Sequence, residues 1–219
     1  MARSLAPSPA PPGADLLPPR AGTDGTLRRL QESALELFAE RGYHGVSMRE
    51  LAAATGVQAS SLYAHVPSKE QLLRDLILLA HEEHRAQLRA ALIETGEDSR
   101  EQLAACVRAH VSFHVTYPML ATVANNELHA LSAAGAREVR LVRGEAERLI
   151  QDIVERGVRR GVFHVADTWL ATAAIGGMGI RTAVWYRTEY GSGYSVDDVC
   201  AAYVEFALRL VGATSGADA

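Results

Sequence analysis

The sequence has a single lysine, Lys69, only two cysteines, and no long uninterrupted run of apolar residues. Cys106 and Cys200 are far apart and form no C-x-x-C pair, which is typical of a reducing compartment rather than of a disulfide scaffold. The lack of an apolar run and the mean hydropathy of -0.02 argue against a membrane span. Prolines stand in residues 1–20 where a secretory signal needs an apolar stretch, so we expect a cytoplasmic protein.

Signatures of common enzymes are also missing. The chain contains no G-x-S-x-G, no P-loop and no H-E-x-x-H sequence. The run from Gly176 to Gly179 lies inside a predicted helix rather than after a strand, so it is not a nucleotide-binding loop. It indicates instead either close helix packing or a cavity wall without side chains. We therefore expect no catalytic residues, no cofactor and no metal.

Proline is scarce outside the first 22 residues, which hold six of the eight prolines. The Pro, Ala, Ser and Gly content of residues 1–22 predicts a disordered tail. The rest of the chain shows helical periodicity and no credible strand, so we predict an all-α protein. Residues 24–84 are predicted to form a small three-helix domain. A long helix from Ser68 to about Glu94 joins it to a larger helical domain over residues 85–213. In that domain Ser99, Asp167 and Ser195 are predicted to cap the starts of three helices.

The segment from Gly42 to Glu70 predicts two short helices around a tight turn. Residues 47–50, Ser-Met-Arg-Glu, form a capping box, in which the first and last side chains bond each other's backbone N–H groups. Residues 55–57, Thr-Gly-Val, then end that helix through a glycine that can adopt the left-handed conformation. In the next helix Leu62 and Val66 lie four residues apart and face inward.

The other face of this second helix is uncharged and rich in hydrogen-bonding groups, which suits a helix lying in the major groove of DNA. We expect Arg49 to reach a base edge or a phosphate, and Lys69 to contact a phosphate from the start of the next helix. An arm that reaches DNA through Arg3 and Arg20 is the alternative to a plain tail. The predicted DNA-contacting residues, from the motif at about 47–66 and the helix after it, are Ser47, Met48, Arg49, Ala59, Ser60, Ser61, Tyr63, His65 and Lys69.

The overall charge gives this interpretation little support, because the net charge is -4 and the pI is about 6.1. The local balance differs, since the charged residues from Arg41 to Lys69 are three bases and one acid, Glu50. Hydroxyl, backbone and helix-terminus contacts would therefore add to charge in binding phosphates.

The same segment resembles the DNA-binding domain of the tetracycline-repressor (TetR) family of bacterial regulators. The matching positions are Ala34, Phe38, Gly42, Tyr43, Ser47, Arg49, Leu51, Ala52, Gly56, Val57, Leu62, Tyr63, His65, Ser68, Lys69, Glu70 and Leu72. Many members have Phe where Val66 stands, and Gly-Thr where Ser60-Ser61 stand, which alters the groove-facing surface. The resemblance implies a homodimeric transcriptional repressor that binds an inverted-repeat operator in double-stranded DNA and is released by a small-molecule effector.

The region from Gly177 to Val199 also resembles TetR-family repressors of fatty-acid and sterol catabolism, several of which answer to acyl-CoA thioesters. This resemblance implies an acyl-CoA or a related lipid-derived acid as the effector. The residues themselves predict an apolar cavity between helices, with an arginine that meets an anion. A pocket for neutral or cationic aromatic compounds is one alternative. Another is that Arg181 is exposed to solvent or paired with a carboxylate of the protein. The predicted lining residues are Phe113, Tyr117, Met178, Arg181 and Trp185.

The last two predicted helices carry more apolar surface than the core of one chain needs. We predict that they pair with their copies in an isologous four-helix interface. The predicted interface residues are Val199, Tyr203, Phe206 and Leu210, with Ile175 and Val184 as further apolar candidates.

Two histidines leave a different function open. His110 and His114 lie four apart on a predicted helix, the spacing of many metal-binding pairs. Glu127 or His129 could complete a site, and the chain would then be a helical metal-binding protein or a metal-dependent enzyme. Histidines that serve packing, or that lie at the surface, are the simpler interpretation.

Overall fold

The computed structural model describes residues 16–21, 25–186 and 193–213, which form helices joined by short turns, with no β-strand among them. The predicted all-α class is confirmed. The helices are α1 (Gly25–Arg41), α2 (Met48–Thr55), α3 (Ala59–His65), α4 (Lys69–Ile93), α5 (Ser99–Thr116), α6 (Pro118–Asn126), α7 (Ala133–Arg159), α8 (Thr168–Trp185) and α9 (Val196–Leu210), with a 3₁₀ turn at Leu128–Ala130. None of the helices described is long and apolar enough to cross a membrane.

The described residues divide into two compact units. The first unit lies within residues 1–83 and 117–142, and the second within residues 84–116 and 143–219. Helices α4 and α7 each contribute residues to both. The predicted long helix is present as α4, which begins one residue after Ser68 and ends one residue before Glu94.

The first unit contains α6 and the start of α7, although the sequence predicts residues 117–142 in the C-terminal domain. α6 packs on α1, and its apolar face, including Leu120 and Val123, is buried. The backbone N–H of Ser132 donates to Glu70 Oε1 at 2.8 Å. These contacts are tertiary, so the local pattern does not reveal them.

Residues 16–21 correct the predicted boundary of the tail. Leu17 is fully buried and Ala21 nearly so, and the carbonyl of Leu17 accepts a hydrogen bond from Arg28 Nη2. Arg20 Nε lies 2.8 Å from Glu83 Oε2 on α4. The prediction of a disordered tail is therefore wrong for these six residues. Arg20 forms an ion pair with Glu83, which argues against the predicted alternative of a DNA contact by this residue. Residues 1–15 and 22, with Arg3, lie outside the described part.

The core of the second unit is formed by α5 against α8 and α9, together with the later part of α7. Asp167 caps α8 and Ser195 caps α9 through a capping box with Asp198, as the sequence predicts. α5 differs by one residue, because Asp98 Oδ1 accepts the N–H groups of Arg100 and Glu101. Ser99, the predicted cap, is instead buried.

Both cysteines are free thiols buried in this core. Burial raises the pKa of Cys106 to about 12. It also raises the pKa of Cys200, whose thiol donates to the carbonyl of Arg108 at an S···O distance of 3.7 Å. Neither thiol is therefore ionised at neutral pH.

Candidate functional site

The entry to α2 is fixed by the predicted capping box. Glu50 N–H donates to Ser47 Oγ at 3.3 Å, and the N–H of Ser47 donates to Glu50 Oε2 at 2.8 Å. Arg41 Nη1 donates to the other carboxylate oxygen at 3.0 Å. The hydrogen bonds from Ser47, and more weakly the charge of Arg41, hold the pKa of Glu50 below its ordinary value. The capping box is confirmed, and it sets the direction in which α2 leaves the turn.

α3 is held on α2 by a glycine turn and two buried anchors. Gly56 has φ +72°, so it ends α2 in the left-handed conformation. Leu62 and Val66 are buried, as the sequence predicts, and α3 packs against α2. We call Met48–Thr55 with Ala59–His65 the α2–α3 pair.

The outward face of the α2–α3 pair is exposed and nearly uncharged. Ser60, Ser61 and His65 are exposed, and the Tyr63 side chain is 53% exposed. Arg49 on α2 is exposed too and forms no ion pair with any described residue. The side chain of Ala59 lies outside the described part of the chain. Arg49, Ser60, Ser61, Tyr63 and His65 are therefore each accessible to solvent, while their contacts with DNA stay a prediction.

Lys69, also predicted to touch DNA, points into the protein. Its Nζ donates to the carbonyls of Tyr43 at 2.8 Å and Val46 at 2.6 Å. The same nitrogen lies 4.1 Å from the centroid of the Tyr43 ring. Two of its three N–H groups therefore donate to carbonyls of the first unit. No local sequence pattern predicts this arrangement.

The predicted effector residues divide between the two units. Phe113 is buried on α5, and Met178 and Trp185 on α8 pack against the core of the second unit. Tyr117 belongs to the first unit, where it precedes α6. Arg181 is exposed in the single chain. The prediction that it is buried and binds an anionic group of the effector is therefore wrong.

A chain of histidines crosses the second unit from α4 to α8. His84 Nε2 lies 2.8 Å from His110 Nδ1, and His110 Nε2 lies 3.1 Å from the carbonyl of Gly176. Burial lowers the pKa of His110 to about 4, so its ring is neutral at physiological pH. Because a carbonyl only accepts, Nε2 of His110 carries the proton, and its Nδ1 accepts from His84. This link joins three helices, and no local sequence pattern indicates it.

The glycine run of α8 is explained in part by the same imidazole. A Cβ on Gly179 would overlap the ring of His110, whereas one on Gly176 or Gly177 would meet no atom within 4 Å. Of the two readings that the sequence leaves open, close packing therefore holds at Gly179. The other two glycines face open space.

The structure gives no support to a metal site at His110 and His114. Within the described ranges, no group of three or more His, Cys, Asp or Glu side chains is arranged to hold a metal ion. His114 Nδ1 is bonded to the carbonyl of His110 at 2.8 Å. Glu127 and His129, the further ligands considered, belong to the first unit.

Exposed apolar side chains are concentrated on α8 and α9. In the part of the chain that the structure describes, six of the nine large apolar residues that are exposed lie on these helices or directly before α9: Trp169, Leu170, Tyr194, Val196, Phe206 and Leu210. The predicted interface residues Phe206 and Leu210 are among them, with Tyr203 at their edge, its ring centroid 5.8 Å from that of Phe206. Val199 and Ile175 are buried in the core of their own chain, so they do not belong to this surface.

Two family models match the chain. "Bacterial regulatory proteins, tetR family" matches residues 30–76, which include the α2–α3 pair. "Tetracyclin repressor-like, C-terminal domain" matches residues 96–211, which is more than half of the chain.

Individual proteins agree with these matches. The HTH-type transcriptional repressor KstR2 of Rhodococcus jostii is 27% identical over 200 residues, covering 90% of this chain and 95% of that protein. A regulatory protein of the tetR family from Rhodococcus RHA1 has a solved structure with a TM-score of 0.81 and 30% identity, covering 88% of this chain and all of that one. AibR, solved with isovaleryl coenzyme A and operator DNA, has a TM-score of 0.73 and 21% identity, covering 85% of this chain and 98% of its own.

Proposed function

Since this chain belongs to the tetR family of bacterial regulatory proteins, and is therefore a DNA-binding transcriptional regulator, we propose that it acts as a homodimeric repressor. The α2–α3 pair binds an inverted-repeat operator, and an effector bound by the second unit releases it. The observation that carries this proposal is the exposed, hydrogen-bonding face of α3 between two buried anchors. The name of the KstR2 relative supports a repressor rather than an activator.

The geometry of a dimer sets the form of the operator. Two copies of α3 would enter successive major-groove faces about 34 Å apart, or a multiple of that distance. Since the two copies are identical, the two half-sites should be inverted repeats of one sequence. Effector binding would change the separation of the two α3 helices and so weaken operator binding.

Arg49 is an exposed cation on α2 that could contact either a base edge or a phosphate of the operator. Replacing it by alanine should cost about 1–3 kcal/mol of operator affinity, because a bidentate base contact contributes that much discrimination. If the contact is to a base, specificity should relax at one operator position. Fluorescence anisotropy titrations with operator variants, repeated across salt concentrations, measure both effects.

Arg148→Ala is the matched control, because Arg148 is exposed on α7 in the second unit. It should bind operator as the wild type does. Unchanged binding by both Arg49→Ala and Tyr63→Ala would show that the α2–α3 pair is not the DNA-binding surface.

The exposed apolar residues of α8 and α9 support the homodimer. A surface that is buried between identical copies needs apolar side chains at its centre, and these helices carry most of those that are exposed. The small residues Ala173, Ala174 and Gly177 are exposed on α8 as well, which allows two helices to approach closely. The partner that this surface fits is a second copy of the chain.

We propose an acyl-CoA or a related lipid-derived acid as the effector class. AibR, which shares the fold, was solved with isovaleryl coenzyme A, and the sequence from Gly177 to Val199 resembles acyl-CoA-responsive repressors. Phe113, Met178 and Trp185 would supply apolar contacts to the acyl group. Arg181 is left out because it is exposed.

Thermal-shift screening tests this ligand class. At a concentration of about 100 Kd, an acyl-CoA should stabilise the protein by about 2.7 kcal/mol, which raises the melting temperature by several degrees. Met178→Ala should reduce this response, and Arg181→Ala should keep it. Free acids and cationic dyes are screened in parallel. Stabilisation by dyes alone would instead identify a pocket for cationic aromatic compounds.

A further inference from the structure

Lys69 joins the two ends of the α2–α3 pair. The chain enters the pair through the turn at residues 42–46 and leaves it through residues 66–68, where Lys69 begins α4. The hydrogen bond from Nζ to the carbonyl of Val46 spans 23 residues and closes this loop. The carbonyl of Tyr43 accepts the second bond, at 2.8 Å.

The ammonium of Lys69 has three partners within the first unit. Two carbonyl oxygens and the face of the Tyr43 ring take up its donors and its charge. Lys69 is only partly exposed, and burial lowers its pKa, with Glu50 acting weakly in the opposite direction. A lysine that neutralises a phosphate would instead direct its donors to solvent.

Backbone hydrogen bonds also shape the turn that Lys69 holds, since the N–H of Gly42 donates to the carbonyl of Phe38 at 2.9 Å and that of Gly45 to the carbonyl of Gly42 at 3.2 Å. Gly42 turns the chain with φ +70°, and Val46 N–H reaches the carbonyl of Tyr43 only at 3.4 Å. Val46 is buried, and the capping residue Ser47 follows it directly. The two bonds from Lys69 therefore act together with the capping box to fix the position of Ser47, and with it the direction of α2 and Arg49.

We propose that Lys69 is a positioning residue for DNA binding, which fixes the α2–α3 pair through the carbonyls of Tyr43 and Val46, and does not contact a phosphate. The inference rests on the proposed function, because it explains how the DNA-binding surface is held. It reverses the role that the sequence alone predicts for this residue.

The salt dependence of operator binding separates the two roles. Each neutralised phosphate contributes about 0.9 to the slope of log K against log salt concentration. Lys69→Met should weaken operator binding about tenfold at every salt concentration, with the slope unchanged. Hydrogen exchange in the free, full-length variant should be faster at the amides of residues 43–50. A slope reduced by about one unit, with exchange unchanged, would overturn the proposal.

Lys69→Arg is the conservative variant. Arginine keeps the charge and binds phosphate well, but its planar fork cannot place one nitrogen between both carbonyls. Positioning therefore predicts weakened binding and faster exchange in this variant, and normal binding would contradict it. If the wild-type protein bound no operator at all, the proposed function would fail, whereas the exchange measurement, which needs no DNA, would still decide the role of Lys69.

Discussion

Phe206→Glu is expected to give a monomer that binds its operator at least about 100-fold more weakly than the wild type. Phe206 is 48% exposed on α9 and belongs to the apolar surface proposed to pair with a second copy. In an isologous interface the substitution appears twice, and each unpaired buried carboxylate costs about 3–5 kcal/mol. A monomer contacts one half-site only, so the contribution of the second half-site is lost. Sedimentation velocity and operator titrations measure the two effects.

Ile93→Glu is the control for this substitution. Ile93 is 84% exposed at the end of α4, so it presents an exposed apolar side chain on a helix other than α8 and α9. This variant should remain dimeric and bind operator normally. A fully dimeric Phe206→Glu/Leu210→Glu double variant would place the interface elsewhere.

Gly179→Ala is expected to lower the free energy of unfolding by about 2–6 kcal/mol. The added Cβ overlaps the imidazole of His110, which is buried and cannot turn away without leaving the carbonyl of Gly176. Overpacking of a core costs about 1–3 kcal/mol, and a buried polar group that loses its partner costs a further ~1–3 kcal/mol. Urea unfolding followed by circular dichroism should show an earlier midpoint.

Gly176→Ala isolates the steric part of this effect. It lies one turn earlier on the same helix, keeps the carbonyl that bonds His110, and its Cβ meets no atom within 4 Å. Alanine is the better helix former, so this variant should be equal to the wild type or more stable by up to about 1 kcal/mol. If both variants unfold alike, His110 is not packed against Gly179.

The helix termini of this protein were largely predictable, because their signals are local. Ser47, Asp167 and Ser195 each act as the predicted cap, since a side-chain oxygen and nearby N–H groups suffice to form one. Ser99 shows the limit of such signals. Asp98 and Ser99 could each cap α5. Ser99 is buried, and Asp98 accepts the N–H groups of the first turn.

The faces of α8 were not predictable in the same way. This helix has apolar or small residues on all sides, so periodicity does not tell which face is inward. Arg181 was consequently expected at a pocket wall but is exposed, and Ile175 was considered for an interface but is buried. The grouping of residues 117–142 with the first unit, and the inward position of Lys69, depend on tertiary contacts that sequence spacing does not encode.

The two buried thiols make the natural sequence suitable for site-specific labelling. Thiol reagents attack the thiolate, and burial with a raised pKa keeps Cys106 and Cys200 in the unreactive form. A cysteine introduced by Ser61→Cys on the exposed face of α3 would therefore take up the probe alone. In the proposed dimer each α3 would then carry one spin label or fluorophore. The distance between the two probes would report directly on how far an effector moves the two helices apart.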